Sequence, residues 1–459
     1  MRICVLVLGL LLASCGNQAD RVAGDLRTAA EGKNIVMVLL DAAAVAHFGY
    51  AGYERDTTPI IDALAAQSLI FDEAYAPAAS TAHSVFGLLT SLHSFVQEEG
   101  GGRYAEENPF RVTETTQLMP ELLAPRFAHR TGISGNAWFG PEFGLDRGFT
   151  FFAGAWDTTQ VSDLSKQAGG RVLDLFVEDL EQWGEGPAFS YVHFLEPHTP
   201  YTPPDGFARK FHATAADSID ARGRPLLEWR LKVPPPRRQE MTRALYDANL
   251  AYVDSLVGEL IAALKEHGEW DNTIFILIAD HGEAFWQHGV WGHGRHTYDE
   301  FVKIPLLIRI PGVEGLAGRH VEPVVGLKDL LPTYLDLLSL EVPDHLQGKS
   351  LLPLIGGDRS GFDKRGVFMR GTHGNVPEFA MRYDHYKWIY NLDSNTYQLY
   401  DLAVDPLERH DLAGDDVDRE LIDARKQIAV WLATGTGLLE PLDELDTETK
   451  ARLRSIGYF

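Results

Sequence analysis

Cysteine is almost absent from this chain of 459 residues, which contains only Cys4 and Cys15. Both lie within the first fifteen residues, which are predicted to act in export, so neither is expected to remain as a free thiol in the processed protein. The sequence therefore excludes a disulfide framework, a cysteine metal site and a cysteine nucleophile.

Positive charge is also scarce. The chain has 41 Lys and Arg against 65 Asp and Glu, a formal net charge of −24, and it lacks a long basic run. Nucleic-acid binding depends on clustered cationic side chains, so a nucleic-acid partner is not expected. Solubility is the simplest interpretation of the acidic balance, and the composition points to no protein partner.

The N-terminus reads as an export signal because Arg2 precedes an apolar stretch too short to span a bilayer and small residues before Cys15. Residues 12–15, LASC, resemble a bacterial lipobox. That resemblance implies that residues 1–15 are a lipoprotein signal peptide, that Cys15 is acylated, and that residues 16–33 are a polar tether. The expected location is therefore a membrane of the bacterial cell envelope, and Gly16 favours the outer membrane or its periplasmic face. The alternative is an ordinary secretory signal in which Cys15 is incidental.

Beyond residue 33, apolar runs of strand length alternate with helical patterns. This alternation predicts an α/β fold with a doubly wound, mostly parallel sheet. After residue 350 short aromatic-rich runs predict a C-terminal subdomain of antiparallel strands, with a covering helix over about 417–433. The alternating segments are residues 34–40, 59–68, 80–91, 161–183, 189–195, 238–266, 273–279 and 305–310.

Two of the apolar runs end in acidic residues. NIVMVLL is followed by Asp41, and TIFILIA is followed by Asp280 and His281. Because ligands bind at the carboxyl ends of parallel strands, these side chains are expected at one edge, where they could hold a divalent metal. The alternative is that His281 is a structural histidine.

Thr81 opens a predicted helix between those two strands. A threonine hydroxyl becomes a competent nucleophile when a metal or a base lowers its pKa, and the start of a helix favours an anion. The alternative is helix capping by Ser80 or Thr81.

Two further clusters supply imidazole, carboxylate and guanidinium groups. The first contains His193, Glu196 and His198, and the second contains His293 and Arg295 in a Gly-rich stretch. They could hold an oxyanion, donate a proton, bind an anionic substrate or contribute to a second metal site. They could also be solvated loop residues.

Over nearly its whole predicted mature length the chain resembles the sulfatase family of the alkaline phosphatase superfamily. The resemblance implies a three-layer α/β sandwich over residues 34–350, completed by a small antiparallel sheet within 351–459. Matching stretches include NIVMVLLD, YVHFLEPHTPYTPP, IADHGE, GHGRHTYDEFVKIPLLIRIPG, GKSLLPLI and YQLYDLAVDPLERHDLA.

Departures from the family pattern decide the expected chemistry. Formylglycine sulfatases carry C/S-x-P-S-R where this chain has Thr81, Ala82, His83, Ser84 and Val85, and threonine cannot become formylglycine. Ala42 stands where such enzymes usually have a second Asp, which weakens a calcium site of the formylglycine type.

Asp41, Thr81, Asp280 and His281 instead resemble the single-metal site of sulfatase-like enzymes with a threonine nucleophile, such as lipoteichoic acid synthases and phosphoethanolamine transferases. The resemblance implies zinc or manganese rather than calcium, with Thr81 as nucleophile and His198 and His293 as charge-stabilising residues. His193, Glu196 and Arg295 would contact substrate. A second metal would need Glu196, His198 or His293.

Three functions follow for an anionic ester substrate. The first is hydrolysis of a phosphoester or phosphodiester through a covalent intermediate on Thr81, favoured over transfer because the chain lacks the transmembrane helices of the transferases. The second is hydrolysis of a sulfuric ester without formylglycine. The third is a catalytically silent binding lipoprotein, for which Ala42 and Val85 are the main support.

Overall fold

The computed structural model describes residues 18–93, 110–156, 164–213, 233–371, 378–392, 394–414, 425–428, 431, 439–441 and 447. The strands are β1 (Asn34–Asp41), β2 (Leu69–Phe71), β3 (Ala74–Tyr75), β4 (Phe110–Val112), β5 (His129–Ser134), β6 (Phe151–Gly154), β7 (Ala188–Pro197), β8 (Thr273–Ala279), β9 (Ala284–Phe285), β10 (Trp291–Gly292), β11 (Leu306–Arg309), β12 (Arg319–Val321), β13 (Val325–Gly326), β14 (Val367–Arg370), β15 (Glu378–Tyr383), β16 (Tyr386–Asn391), β17 (Thr396–Asp401) and β18 (Leu439–Pro441).

The helices are α1 (residues 18–30), α2 (Pro59–Ala65), α3 (Thr81–Thr90), α4 (Met119–Leu123), α5 (Leu164–Leu180), α6 (Asp205–Lys210), α7 (Pro236–Glu266), α8 (Asp299–Val302), α9 (Leu330–Leu337) and α10 (Leu352–Ile355). Short 3-10 turns connect several of them.

An eight-stranded sheet with the order β12-β2-β11-β8-β1-β7-β5-β6 forms the centre of the fold. β1 pairs in parallel with both β7 and β8, and only β11 next to β8 and β2 next to β11 introduce antiparallel pairing. Every residue of β1, β7 and β8 is buried, which explains their continuous apolar runs. The predicted α/β fold with a mostly parallel sheet is confirmed.

Helices cover this sheet. The helices α5 and α7 contact β7 and each other, and α3 contacts α4 and α9 elsewhere in the fold. The 31-residue α7 has proline at its first position, where the missing N–H costs no helical hydrogen bond. One large apolar cluster joins the central strands to these helices, so the sheet edge that carries Asp41 rests on a packed core.

The predicted C-terminal sheet is also present as the antiparallel order β14-β15-β16-β17. It joins the main body through Lys387, whose Nζ lies 2.8 Å from Asp299 Oδ1 and 2.9 Å from Glu408 Oε1. Of the covering helix expected over 417–433, the described part is residues 425–428 and 431, where Ile428 and Trp431 pack on the sheet. The rest of that predicted helix lies outside the described residues.

Residues 16–33 were expected to be a polar tether, but most of this segment is helical. Residues 18–30 form α1, and Ala19, Ala23, Leu26 and Ala30 are its buried stripe. These positions recur at the helical period, so one face of α1 docks on the body of the protein. Arg27 strengthens the contact because its Nη2 lies 2.7 Å from Asp336 Oδ1.

Cys4, Cys15 and the predicted signal peptide lie outside the described residues. Among the helices that the structure describes, none combines the length and apolar character needed to cross a membrane.

Candidate active site

Asp41 is the last residue of β1 and is fully buried. Its Oδ1 accepts a hydrogen bond from the Thr81 hydroxyl at 3.3 Å. Its Oδ2 accepts one from Asn136 Nδ2 at 2.5 Å and lies 3.1 Å from His193 Nε2. The two oxygens of this carboxylate therefore contact different side chains.

Asp280 follows β8, next to β1, and is also fully buried. Its Oδ1 accepts the backbone N–H groups of Ala42, at 3.1 Å, and His281, at 2.9 Å. Ala42 has a left-handed φ of 58° at the turn where it makes this bond. Asp280 Oδ2 accepts no hydrogen bond from the described residues and lies 3.5 Å from His281 Nε2. A buried oxygen of this kind requires a partner, and a cation would satisfy it.

Thr81 is the first residue of α3, and only 1% of it is exposed. Besides the contact with Asp41, its Oγ1 lies 3.2 Å from His281 Nε2. The alternative prediction that Ser80 caps this helix with its side chain is wrong, because the Ser80 side chain makes no capping hydrogen bond. The Thr81 hydroxyl instead faces the carboxylate and imidazole groups.

The four predicted metal ligands fit a small cation. The measured separations among Asp41 Oδ1, Thr81 Oγ1, His281 Nε2 and Asp280 Oδ2 are 3.2, 3.3, 3.5 and 3.7 Å. Ligand atoms around a tetrahedral zinc ion with bonds of about 2.1 Å lie about 3.4 Å apart. These four separations are close to the spacing of ligand atoms around a zinc ion.

The electrostatics agree with this fit. Burial raises the pKa of Asp280, and the neighbouring charge of Asp41 raises it further. Burial would also raise the pKa of Asp41, but the charge of His198 and the hydrogen bond and charge of His193 lower it well below its usual value. Two close carboxylates repel each other in a buried site, so a cation between them would be stabilising.

A different group of three, Asp41, His193 and Asp280, also has ligand atoms within 4.8 Å of one another. We favour His281 over His193 as the imidazole ligand. His193 Nε2 approaches Asp41 Oδ2, which already accepts the Asn136 hydrogen bond, and its Nδ1 lies 3.1 Å from Tyr191 Oη and 3.2 Å from Ser134 Oγ. This geometry suits a residue that orients Asp41. His193 is fully buried, and the substrate contact expected from the sequence stays a prediction.

Three imidazole rings form a row beside Thr81. The ring of His293 lies 4.6 Å from that of His281 and 4.7 Å from that of His198, measured between centroids. His293 Nδ1 lies 3.3 Å from each carboxylate oxygen of Glu283. Glu283 thus holds the Nδ1 side of the His293 ring. His198 and His293 are thus brought together with the predicted metal ligands.

Glu196 is placed elsewhere. Its Oε1 accepts a hydrogen bond from Gly169 N in α5, at 3.3 Å, and no contact with the metal ligands is seen among the described residues. Burial raises its pKa to about 7. This position on the α5 side differs from the expected substrate contact.

Arg295 is half-buried, and its guanidinium makes no hydrogen bond or ion pair within the part of the chain that the structure describes. A cation without a protein partner, two residues from His293, is available to an anionic ligand.

Sequence reasoning missed Asn136 and the role of Glu283. Asn136 follows β5, two strands from β1, so a polar residue just beyond a strand was the available signal. Glu283 is the last residue of the DHGE stretch, which follows β8 and begins with the predicted metal ligands Asp280 and His281.

Comparisons with known proteins identify the family of this chain. The family model described as Sulfatase matches residues 33–340. The chain belongs to the sulfatase family. A second model, described as N-sulphoglucosamine sulphohydrolase, C-terminal, matches residues 287–430.

This sulfatase-family chain is similar to an arylsulfatase of Clostridium perfringens, with 23% identity covering 86% of this chain and 93% of the relative. It is 30% identical to an uncharacterized sulfatase, YidJ, of Escherichia coli, over 55% of this chain and 54% of the relative. The crystal structure of a phosphonate monoester hydrolase of Agrobacterium radiobacter shares the fold, with a TM-score of 0.69, 22% identity and coverage of 91% and 98%. The chain is therefore a hydrolase of the sulfatase family, in a fold shared by sulfatases and phosphonate monoester hydrolases.

Proposed function

We propose that this sulfatase-family hydrolase cleaves a phosphoester or phosphodiester through a covalent intermediate on Thr81. The observation that carries the proposal is the position of Thr81 Oγ1, 3.3 Å from Asp41 Oδ1 and 3.2 Å from His281 Nε2. A hydroxyl held at the start of a helix beside ligands for a cation has the means of activation that a threonine nucleophile needs.

Asp41, Thr81, Asp280 and His281 would hold one divalent metal. Zinc or manganese suits a site of two carboxylates, one hydroxyl and one imidazole better than calcium, which prefers six to eight oxygen ligands. These four side chains form one ligand set, and we propose a single metal there. When bound, the metal would lower the pKa of the Thr81 hydroxyl and attract the ester oxygens.

The residues of the chain perform the remaining work. The Thr81 hydroxyl loses its proton to solvent, and Oγ1 forms a bond to phosphorus while the bond from phosphorus to the leaving oxygen breaks. His293 or His198 gives a proton to that oxygen. Water then attacks phosphorus and returns a proton to the same histidine, and the bond from phosphorus to Oγ1 breaks as Oγ1 takes up a proton from solvent. Arg295 binds a non-bridging oxygen of the substrate.

A sulfuric ester is the second candidate substrate, favoured by the relatives that carry the name sulfatase. Thr81 argues against it, because the formylglycine route requires a Cys or Ser at that position. A catalytically silent protein is the third candidate. The preserved contacts of Thr81 with Asp41 and His281 argue against that role.

The proposed location is the bacterial cell envelope, through acylation of Cys15. The support is the LASC sequence alone. Palmitate labelling and membrane fractionation of the wild type and Cys15→Ser test it. Labelled protein in the membrane fraction that is lost in the variant supports the anchor, and equal behaviour of both proteins refutes it.

The test of the proposed chemistry is turnover by metal-loaded protein on an aryl phosphate diester, the matching monoester and the matching sulfate ester. Thr81→Ala should abolish activity, and Thr81→Ser should retain part of it. Normal turnover by Thr81→Ala would contradict a threonine nucleophile, and a preference for the sulfate ester would select the second candidate.

A further inference from the structure

The loop that carries His293 and Arg295 is held by the C-terminal sheet. We call residues 292–298 the histidine loop. Gly292 and Gly294 flank His293 with left-handed φ angles of 91° and 92°, which only glycine adopts without strain. Beyond the pairing of Gly292 with Ala284, the position of the loop depends on what it packs against.

Glu378, the first residue of β15, provides most of the polar contacts that fix the far half of the loop. Its Oε1 accepts hydrogen bonds from Thr297 N at 2.7 Å and Thr297 Oγ1 at 2.8 Å. Its Oε2 lies 3.1 Å from His296 Nδ1. Glu378 is only 6% exposed, and hydrogen bonds to a buried carboxylate are among the strongest in proteins.

A second contact fixes the loop at Arg295. A Cβ atom added to Gly371, which follows β14, would lie 2.4 Å from the Arg295 carbonyl oxygen. The backbones of the two segments are therefore packed directly on each other. Gly371 N also donates a hydrogen bond of 2.8 Å to the Glu378 carbonyl, so both contacts belong to one corner of the C-terminal sheet.

We propose that Glu378 is a positioning residue that sets the placement of His293 and Arg295 at the active site. The inference deepens the proposed function, on which it rests for the catalytic readout. The Glu378 side chain contacts Thr297 and His296 rather than the predicted metal ligands, among the residues that the structure describes. It acts through Thr297 and His296, which lie within four residues of His293 along the chain. The C-terminal sheet is thereby a part of the active-site framework.

The variants needed to test this follow from the hydrogen bonds. Glu378→Ala leaves Thr297 N–H without its acceptor, whereas Glu378→Gln keeps an oxygen for Thr297 and an amide group for His296. Thr297→Val removes one of the three bonds and keeps the backbone N–H. Asp411→Ala is the control, because Asp411 accepts hydrogen bonds from Leu399 N and Ala413 N in the same subdomain. Within the described part of the chain, Asp411 makes no hydrogen bond to the histidine loop.

Three readouts separate positioning from general stability: hydrogen exchange of the peptide covering 292–298, affinity for orthovanadate, and kcat against KM. Glu378→Ala should raise exchange in that peptide and lower both vanadate affinity and kcat/KM by about ten- to a hundredfold, the range expected for misplaced catalytic groups. Glu378→Gln should restore most of the wild-type value in each of the three readouts. Thr297→Val should give values between those of Glu378→Ala and the wild type.

The proposal is overturned if Glu378→Ala lowers only the unfolding temperature, as Asp411→Ala is expected to do, with exchange in the loop and vanadate affinity unchanged. Failure of the proposed function gives a different result, since the wild-type protein would then turn over no phosphate ester, or Thr81→Ala would retain turnover. The exchange of residues 292–298 would still decide whether Glu378 holds the loop.

Discussion

Asn136 Nδ2 donates a 2.5 Å hydrogen bond to Oδ2 of Asp41, while Oδ1 of the same carboxylate lies 3.3 Å from the Thr81 hydroxyl. The carboxylate is thus held on one side by an amide and left on the other side for the nucleophile and a metal. His193 reinforces the same side as Asn136, at 3.1 Å from Oδ2. Residues that orient a metal ligand in this way commonly change metal affinity when they are removed.

Asn136→Ala should weaken zinc or manganese binding by about ten- to a hundredfold, because Asp41 loses the amide that fixes its orientation. Competition with a fluorescent chelator measures the affinity. Asn34→Ala is the matched control, since Asn34 is a buried amide at the first position of β1, and Asp41 is at the last position of that strand. Equal affinities for the Asn136 variant and the wild type would show that the amide has no role in the metal site.

Asp280→Asn should have opposite effects on the metal-free and metal-loaded protein. Without metal, the change removes the repulsion between two buried carboxylates and should stabilise the fold by about 1 to 3 kcal/mol. With metal, the stabilisation that the cation gives the wild type should disappear. Thermal unfolding with and without added zinc or manganese measures both.

Asp254→Asn is the control for that experiment, because Asp254 is a buried carboxylate that accepts the N–H groups of Ile60 and Ile61 at the start of α2. The stabilisation of Asp254→Asn by added metal, measured by thermal unfolding, should match that of the wild type. If Asp280→Asn retained the full stabilisation by metal, Asp280 would not be a ligand.

Glu283→Gln should lower kcat more than it raises KM, because Glu283 contacts His293 Nδ1 at 3.3 Å and would stabilise the positive charge on that ring. A loss of about tenfold is expected for a group that acts through the imidazole, against roughly a hundredfold or more for His293→Gln itself. Steady-state kinetics of both variants and of the double variant measure the coupling. Additive losses would mean that Glu283 and His293 act independently.

Glu196 should make the metal-free protein less stable as the pH rises. Its pKa is about 7 in the folded protein against an ordinary 4.5, so the folded state binds the proton more tightly than the unfolded state. The contribution to stability is fully present below pH 4.5 and is lost as the pH approaches 7, a change of up to about 3 kcal/mol. Glu196→Gln should reduce this slope in denaturant unfolding from pH 5 to 8. An unchanged slope would assign the pH dependence to other groups.

The central strands and their acidic ends could be predicted from the sequence because both signals are local. NIVMVLLD and TIFILIAD are buried runs that end in an acid, and parallel pairing brings Asp41 and Asp280 to one edge. Thr81 could be placed near them only through the resemblance to sulfatase-like enzymes, because α2, β2 and β3 separate it from β1 in the chain.

Asn136 could not be predicted in the same way. It lies 95 residues from Asp41 and reaches it only through the order of strands β1, β7 and β5, which local patterns do not determine. The directions in which the side chains of His193 and Glu196 point from β7 could not be predicted from local patterns either. Helix α1 was missed because its buried stripe is mostly alanine, which gives a weak apolar signal in a polar segment.

The most direct test of the threonine mechanism is rapid quenching of the metal-loaded protein with the preferred aryl ester, followed by intact-mass and peptide analysis. The account predicts a covalent phosphoryl group on Thr81 that forms and decays at rates consistent with kcat, and that is absent from Thr81→Ala along with turnover. Turnover without any adduct on Thr81, or with the adduct on another residue, would contradict it.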